Sequence, residues 1–232
     1  MSVKETLTAL ADAIREKTGK TEPLTLEEMT AAVKTIGGAA ENSIRYVTVD
    51  ANGFPTEIDA STMKQLARCQ FSSSVDAYNS DYPLYSKVTK ITLSDEITEF
   101  PSTCFYRCTK LSELHMPASL KTIGRYCFTY CSALPVSIPE GVETIEPYAF
   151  STMNNTGFTA LTLPASLTAV RANAFRANSS LTAVTFLGTP TTVATSVFND
   201  CANLTDIYVP WAEGAVTGAP WGAANATVHY NS

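Results

Sequence analysis

The stretch Leu111–Cys131, LSELHMPASLKTIGRYCFTYC, decides the fold. Its apolar residues fall in three groups: Leu111-x-x-Leu114-x-Met116 followed by Pro117, then Leu120-x-x-Ile123, then Phe128-x-x-Cys131. The same groups return downstream. Leu134, Ile138, Pro139, Val142, Ile145 and Phe150 repeat them with one residue lost before the proline. Phe158, Leu161, Leu163, Pro164, Leu167, Val170 and Phe175 repeat them after two extra residues, and Leu181, Val184, Phe186, Val193 and Phe198 follow. Leu204, Ile207, Val209 and Pro210 begin one more unit, and upstream Val88, Ile91, Leu93, Ile97, Phe100 and Phe105 make a first unit without the proline. The phenylalanines Phe105, Phe128, Phe150, Phe175 and Phe198 are separated by 23, 22, 25 and 23 residues. Self-similarity at a period in the twenties is the signature of a solenoid, in which each unit buries its apolar face only against its neighbours.

Within a unit, the alternating Leu-x-x-Leu-x-Met stretch predicts a short strand with its apolar side chains pointing inward. The proline stops that strand, because it has no N–H to pair and a fixed φ. A second extended piece carries Leu-x-x-Ile, and the Phe-x-x-Cys corner turns the chain back. Stacked units close the core at a spacing of roughly 4.8 Å per strand. Each buried Phe contributes roughly 1.5–3 kcal/mol of transfer free energy.

The segments SLKTIGRYCFTYC, GVETIEPYAF and SLTAVRANAF resemble the repeat unit of the BspA-like leucine-rich-repeat family. The resemblance covers residues 88–210. It implies a leucine-rich-repeat solenoid of short parallel strands, about five coils plus a partial sixth, used for binding and not for catalysis.

The chain has 232 residues, 45% apolar and 16% charged, with a net charge of −6. No basic cluster is present, which disfavours nucleic-acid binding. No stretch approaches the roughly 20 apolar residues of a membrane helix. Charge is uneven along the chain. The first 36 residues hold 11 charged side chains, and residues 147–232 hold only Arg171, Arg176, Asp200, Asp206 and Glu213. The second half is rich in Thr, Ser, Ala and Asn, as in proteins that work outside the cell. Residues 1–17 carry six charged side chains and no apolar run, so no signal peptide is read there.

Residues 1–36 read as a helical attachment or oligomerisation module. Val3, Leu7, Leu10, Ala11 and Ile14 share one helix face. Thr25-Leu26-Glu27-Glu28 resembles a capping box that opens a second helix through Val33 and Ile36, completing an α+β chain with an N-terminal helical hairpin. Residues 37–43, GGAAENS, are a flexible linker. Residues 44–87 are expected to cap the first coil, with strands at 44–49 and 54–58 around an Asn52-Gly53 turn and a short helix over 61–69. Residues 211–232 are expected to cap the last coil through Trp211, Pro220, Trp221, Val228 and Tyr230. Residues 7–36, and the C-terminal segment IYVPWAEGAVTGAPWGAANATVHY, resemble parts of tail-associated or minor structural proteins of phages and prophages. That resemblance implies a chain assembled in the bacterial cytoplasm and carried on a virion, with residues 2–36 docking to other particle proteins or to a second copy.

Candidate chemistry is sparse. Cys104-x3-Cys108 and Cys127-x3-Cys131 have a spacing close to that of zinc ligands. However, Cys108, Cys131 and Cys201 fill the repeat's own Cys column, and Cys104 and Cys127 fill a column held elsewhere by Ala149, Ala174 and Val197. Buried cysteine behaves as a small hydrophobe, so reduced thiols without metal or cofactor are expected. No nucleophile–base arrangement or phosphate loop emerges, and the chain reads as a non-enzyme. The candidate binding residues form two sets. One is the outward strand column Thr92, His115, Ser137, Thr162, Thr185 and Tyr208. The other is the corner set Tyr106, Arg107, Tyr126 and Tyr130, with Arg125 and Tyr148 nearby; Tyr and Arg are the residue types enriched in binding hot spots. The corner tyrosines also suit plain packing between coils. The expected partner is a protein or glycan, and the reading is a phage-associated recognition protein. Its rivals are a bacterial cell-surface-type adhesin or interaction module, and a spacer without ligand.

Overall fold

The computed structural model describes residues 88–231 together with the backbones of 45–49 and 55–60. The helical hairpin expected over 2–36, the linker and the helix expected over 61–69 lie outside the described residues. The chain divides into two compact units, Met1–Arg45 and Tyr46–Ser232. The second unit carries the solenoid.

One row of strands runs along the Leu-x-x-Leu-x-Met positions. It contains β1 (Arg45–Val49), β2 (Pro55–Ala60), β3 (Lys90–Leu93) and β5 (Glu113–Leu114), then, after a gap, β8 (Ala160–Leu163), β10 (Ala183–Phe186), β12 (Asp206–Val209) and β13 (Thr227–Tyr230). A second row follows the Leu-x-x-Ile positions: β4 (Glu99–Phe100), β6 (Thr122–Ile123), β7 (Thr144–Ile145), β9 (Ala169–Val170) and β11 (Thr192–Val193). The second row is one continuous five-stranded sheet, and the pairs β4–β6, β6–β7, β7–β9 and β9–β11 are all parallel. The first row is two four-stranded sheets, β1-β2-β3-β5 and β8-β10-β12-β13.

The gap corrects the expectation of one strand in every coil. Residues 134–139 form no strand. Pro135 stands where the other coils present a pairing N–H, and this coil is one residue short, so the register needed to join β5 to β8 is lost. The Asn155 side chain fills part of the gap by donating from Nδ2 to the Leu134 carbonyl at 2.7 Å. At the C-terminus the solenoid runs further than the partial sixth coil expected to end at 210. β13 pairs in parallel with β12, Ile207 facing Val228 and Tyr208 facing His229. Trp211 and Trp221 are buried and pack on Phe186 with ring centroids 5.2 and 5.7 Å away. At the other end β2 lies parallel to β3, Ile58 facing Ile91.

The core is the phenylalanine ladder. Phe105, Phe128, Phe150, Phe175 and Phe198 are fully buried, and successive rings stack at 5.2, 5.1, 5.2 and 5.8 Å. Phe100 closes the first rung edge-on, 5.3 Å from Phe105. Offset ring pairs at this distance add roughly 0.5–1.5 kcal/mol beyond their area burial. Gly124 is required by close approach: a Cβ there would collide with the carbonyl oxygen of Phe100 in the preceding coil.

The corners that carry these rings have an unusual backbone. Two residues before and two after the Phe, φ is positive: 61° and 62° at Thr103 and Arg107, 55° and 66° at Tyr126 and Tyr130, 62° and 51° at Tyr148 and Thr152, 59° and 58° at Asn173 and Ala177. The fifth corner keeps one such residue, Asp200 at 63°. The alternation aims every second N–H at the next coil. Tyr126, Phe128 and Tyr130 donate to the carbonyls of Pro147, Ala149 and Ser151 at 3.1, 2.7 and 3.4 Å. The N–H groups between them close turns inside the coil, Cys127 to Gly124 and Thr129 to Tyr126. Buried polar side chains take up what remains. Asn178 Nδ2 donates to the carbonyls of Phe150 and Phe175 at 2.8 Å each, while its Oδ1 accepts from the Met153 N–H at 3.1 Å. Asn178, itself buried, thereby keeps both ends of its amide bonded.

Candidate functional site

Strand alternation puts one residue in two outside the core, and the first row therefore presents an outward column. The structure places Thr162, Thr185 and Tyr208 side by side on β8, β10 and β12, and Tyr208 is 45% exposed. The other predicted members lie apart from these. Thr92 is exposed on β3 opposite Asp59, His115 is exposed just beyond β5, and Ser137 is exposed in the strandless coil. The gap at Pro135 is the reason the predicted column of six is not one surface.

The column also contains a member the sequence reading passed over. His229 stands next to Tyr208, its ring stacked at 4.5 Å and 14°. Its Nε2 lies 2.8 Å from Oδ1 of Asp206, the other outward residue of β12. Thr205 Oγ1 donates to the second carboxylate oxygen at 2.8 Å. The His229 hydrogen bond, and after it that of Thr205, hold the Asp206 carboxyl below the usual carboxylate range. The signal was present: Asp206-Ile207-Tyr208-Val209 and Thr227-Val228-His229-Tyr230 share one alternation.

The corner set comes together more completely. Tyr106 and Tyr130, from successive coils, meet edge to face at 5.8 Å, and the Arg107 guanidinium lies 5.5 and 5.3 Å from their ring centres. On the other side of the Phe128 corner, Tyr126 stacks on Tyr148 at 4.8 Å, and Arg125 lies 5.0 Å from the Tyr126 ring. All four tyrosines are half-buried, and both arginines are exposed. These rings do pack between coils, as the plainer reading held, and the same packing fixes the arginines at the surface. A guanidinium over a ring face gains roughly 0.5–1 kcal/mol at an exposed site and keeps its N–H edge turned outward.

Cys104, Cys108, Cys127, Cys131 and Cys201 are buried thiols. Burial pushes the Cys127 and Cys131 thiols well up, and Cys201 up to about 11. Cys131 and Cys201 donate through Sγ to the carbonyls of Phe105 and Phe175, at 3.0 and 3.1 Å, the same bond in two distant coils. A thiol held protonated in this way is a poor nucleophile and a poor metal ligand. Among the described residues no group of three His, Cys, Asp or Glu side chains is placed to hold a metal ion.

Residues 61–156 match the family described as the BspA type leucine rich repeat region, in six copies. The match ends at 156, although the same strand-and-corner unit continues through Phe175 and Phe198. No curated protein matches the chain. Among solved structures, the chain is similar to a leucine-rich repeat protein from Bacteroides ovatus, with 28% identity, a TM-score of 0.46, and coverage of 53% of this chain and 32% of that one. It is similar to the T. pallidum Leucine Rich Repeat protein at 19% identity and a TM-score of 0.45, covering 69% of this chain and 66% of that one. A leucine rich cell surface protein from Faecalibacterium prausnitzii gives 20% identity and a TM-score of 0.31, over 72% of this chain and 62% of that one. This chain therefore spans less than two thirds of the length of each. The stacked parallel strands make the described repeat region a solenoid, and residues 61–156 are similar to the BspA type leucine rich repeat region.

Proposed function

We propose that this chain is a non-catalytic interaction module of the bacterial surface-protein kind, binding a protein partner through side chains on the outside of its solenoid. The observation that carries this reading is the division of labour within each coil. The apolar residues are used up in stacking one coil on the next, and the exposed positions vary from coil to coil on a constant frame. Repeat architectures of this kind provide extended surfaces for binding. The Thr-, Ser- and Asn-rich second half supports work outside the cell. The absence of any nucleophile, base and oxyanion-donor constellation from the sequence supports binding over catalysis.

Virion attachment through residues 2–36 is a second, narrower reading. It rests on the phage-protein resemblance of the two terminal segments, and the comparisons add nothing to it. Neighbouring reading frames for tail, holin and lysin proteins would favour it, and their absence would remove its support.

Beads coated with the full chain test the main reading when offered to cultured epithelial monolayers and to washed bacterial cells. The expected result is adhesion to one of the two that trypsin treatment of the target abolishes. Adhesion that survives trypsin and is lost to glycosidases would make the ligand a glycan. Adhesion to neither would leave a spacer without ligand.

A further inference from the structure

The two large hydrophobic side chains exposed among the described residues lie on one sheet face. Tyr208 is 45% exposed on β12, and Leu187 is 51% exposed just past β10. Thr185 pairs with Tyr208, and Leu187 follows Thr185 by two, so alternation turns all three outward with Leu187 diagonal to the ring. The Leu187 N–H donates to the Leu163 carbonyl at 2.9 Å, which ties it to the sheet.

Only one side of the Tyr208 ring is covered by stacking. His229 lies on it at 4.5 Å and 14°, a separation close to the roughly 4.8 Å between strands, so the stack runs across the strands. The opposite ring face is therefore turned along the column toward Thr185 and then Thr162, whose side chains are too short to cover it. The floor there is small: Ala160 and Thr162 are exposed, and Ala183 and Thr185 are half-buried.

Hydrogen bonding is the second, independent observation. Thr182 and Thr205, at the starts of the same strands, spend their hydroxyls on the Thr159 and Thr182 carbonyls. Among the described residues, the hydroxyls of Thr162, Thr185 and Tyr208 have no such protein partner. Asp206 accepts one bond at each carboxylate oxygen, from His229 and Thr205 at 2.8 Å each, and its side chain is 39% exposed. A carboxylate offers about four acceptor sites, so it retains capacity for a ligand.

Charge and pairing together narrow the ligand. Strands β8, β10, β12 and β13 carry no Lys or Arg, and residues 177–232 carry none against Asp200, Asp206 and Glu213. Arg176, at the Phe175 corner, is taken up by Asp200. An anionic ligand would meet the Asp206 carboxylate with no fixed cation beside it. A cation would find a single carboxylate that is already bonded twice. An aromatic side chain would extend the stack but bury the threonine hydroxyls unpaired. An uncharged sugar ring meets both demands, because its C–H face suits the negative face of the tyrosine ring and its hydroxyls pair with the threonines.

We propose that Tyr208, Leu187, Thr185, Thr162 and Asp206 bind an uncharged pyranose of a glycan, stacked on the open face of the Tyr208 ring and hydrogen-bonded to the threonines and the carboxylate. The site lies apart from the tyrosine–arginine corners, and it does not depend on the protein-partner reading.

The test uses the full chain with fluorescein-labelled mannan, galactan and chitotetraose, read by fluorescence anisotropy at about 0.15 M salt. At least one should bind, and about 1 M salt, with a Debye length of about 3 Å, should leave its affinity unchanged. Tyr208→Ala should weaken that binding about tenfold, while Tyr208→Phe keeps the ring and stays within about threefold. Thr162→Val/Thr185→Val keeps shape and branching but removes both hydroxyls, so it should lose at least about fivefold. Tyr106→Ala, at the Phe105 corner, should stay within about twofold, since distant sites act independently. All variants should keep the parent circular dichroism spectrum. Binding of none of the three glycans overturns the proposal, as does an equal loss in Tyr106→Ala. Full affinity in the double valine variant overturns it too, because the hydroxyls would then not read the ligand. So does polygalacturonate or poly-L-lysine that binds more tightly at the same residues, since the site would then belong to a charged ligand. If the glycans fail while coated beads show trypsin-sensitive adhesion, the sugar site falls and the protein-partner reading stands.

Discussion

At the Phe128 corner the two left-handed positions hold Tyr126 and Tyr130; at the Phe175 corner the same positions hold Asn173 and Ala177. The rings inside both corners are fully buried, and the backbone bonds repeat, from Phe128 N–H to the Ala149 carbonyl and from Phe175 N–H to the Val197 carbonyl. Core and backbone are thus indifferent to what the corner displays. The early corners display stacked aromatic and cationic groups, and the late ones display small polar residues with Arg176 tied to Asp200 at 2.6 Å. A feature that one half of a repeat array omits without harm to its fold is not a requirement of the fold.

The largest effect should be the same in both halves. Phe128→Ala and Phe175→Ala should each cost about 3–5 kcal/mol from lost burial and the cavity left behind, read by denaturant titration. A loss below about 1 kcal/mol at either rung would show that the ladder is not one uniform core.

The next effect follows the Cys column across the two halves. The folded chain holds the Cys201 proton up to about pH 11, while an unfolded thiol loses it near pH 8.5. The native state therefore binds the extra proton between those values, and stability should fall as pH rises through that window, by on the order of 2 kcal/mol. Urea titrations at pH 8 and pH 10.5 measure this fall, and Cys201→Ala should reduce its slope. Cys131, pushed up by burial in the same column, should behave alike. An unchanged slope in both variants would remove the thiols from the alkaline transition.

The smallest effect addresses the corners directly. Tyr126→Asn gives up its stack on Tyr148 and relieves a left-handed backbone, two terms of about 1 kcal/mol that oppose each other, so stability should change by less than about 1 kcal/mol. Asn173→Tyr, the reverse exchange, places a ring on the coil after Tyr148 at the expense of a left-handed backbone, so it too should change stability by less than about 1 kcal/mol. If Tyr126→Asn instead costs as much as a ladder phenylalanine, the aromatic corner is core and the contrast between the halves disappears.

The solenoid was legible because its rule is applied many times. Phe105, Phe128, Phe150, Phe175 and Phe198 carry the same information, and a single irregular coil cannot hide the period. What the pattern could not show is the effect of one residue. Pro135, with one position lost beside it, turned a predicted strand into the gap that divides the outer row. The pairing of β13 on β12 was missed because the period stops at Pro210 while the alternation resumes at Thr227, and with it went the Asp206–His229 pair. In the candidate site, residue types were legible and their association was not. Arg107 reaches Tyr106 and Tyr130 across two coils only because of a corner backbone that residues of low left-handed preference give no sign of adopting.

The strandless coil at 134–139 also sets how the solenoid comes apart. A stack of repeats holds together through couplings between nearest neighbours, and its cooperative units end where a coupling is weak. Here the β4–β6–β7–β9–β11 sheet and the corner hydrogen bonds run past the gap unbroken while the outer row does not, so the junction there lacks one of the rows of bonds that stitch the rest of the stack. Opening should begin at that junction and leave two shorter stacks, one bearing the tyrosine–arginine corners at Phe105 and Phe128, the other bearing the Tyr208–His229 face.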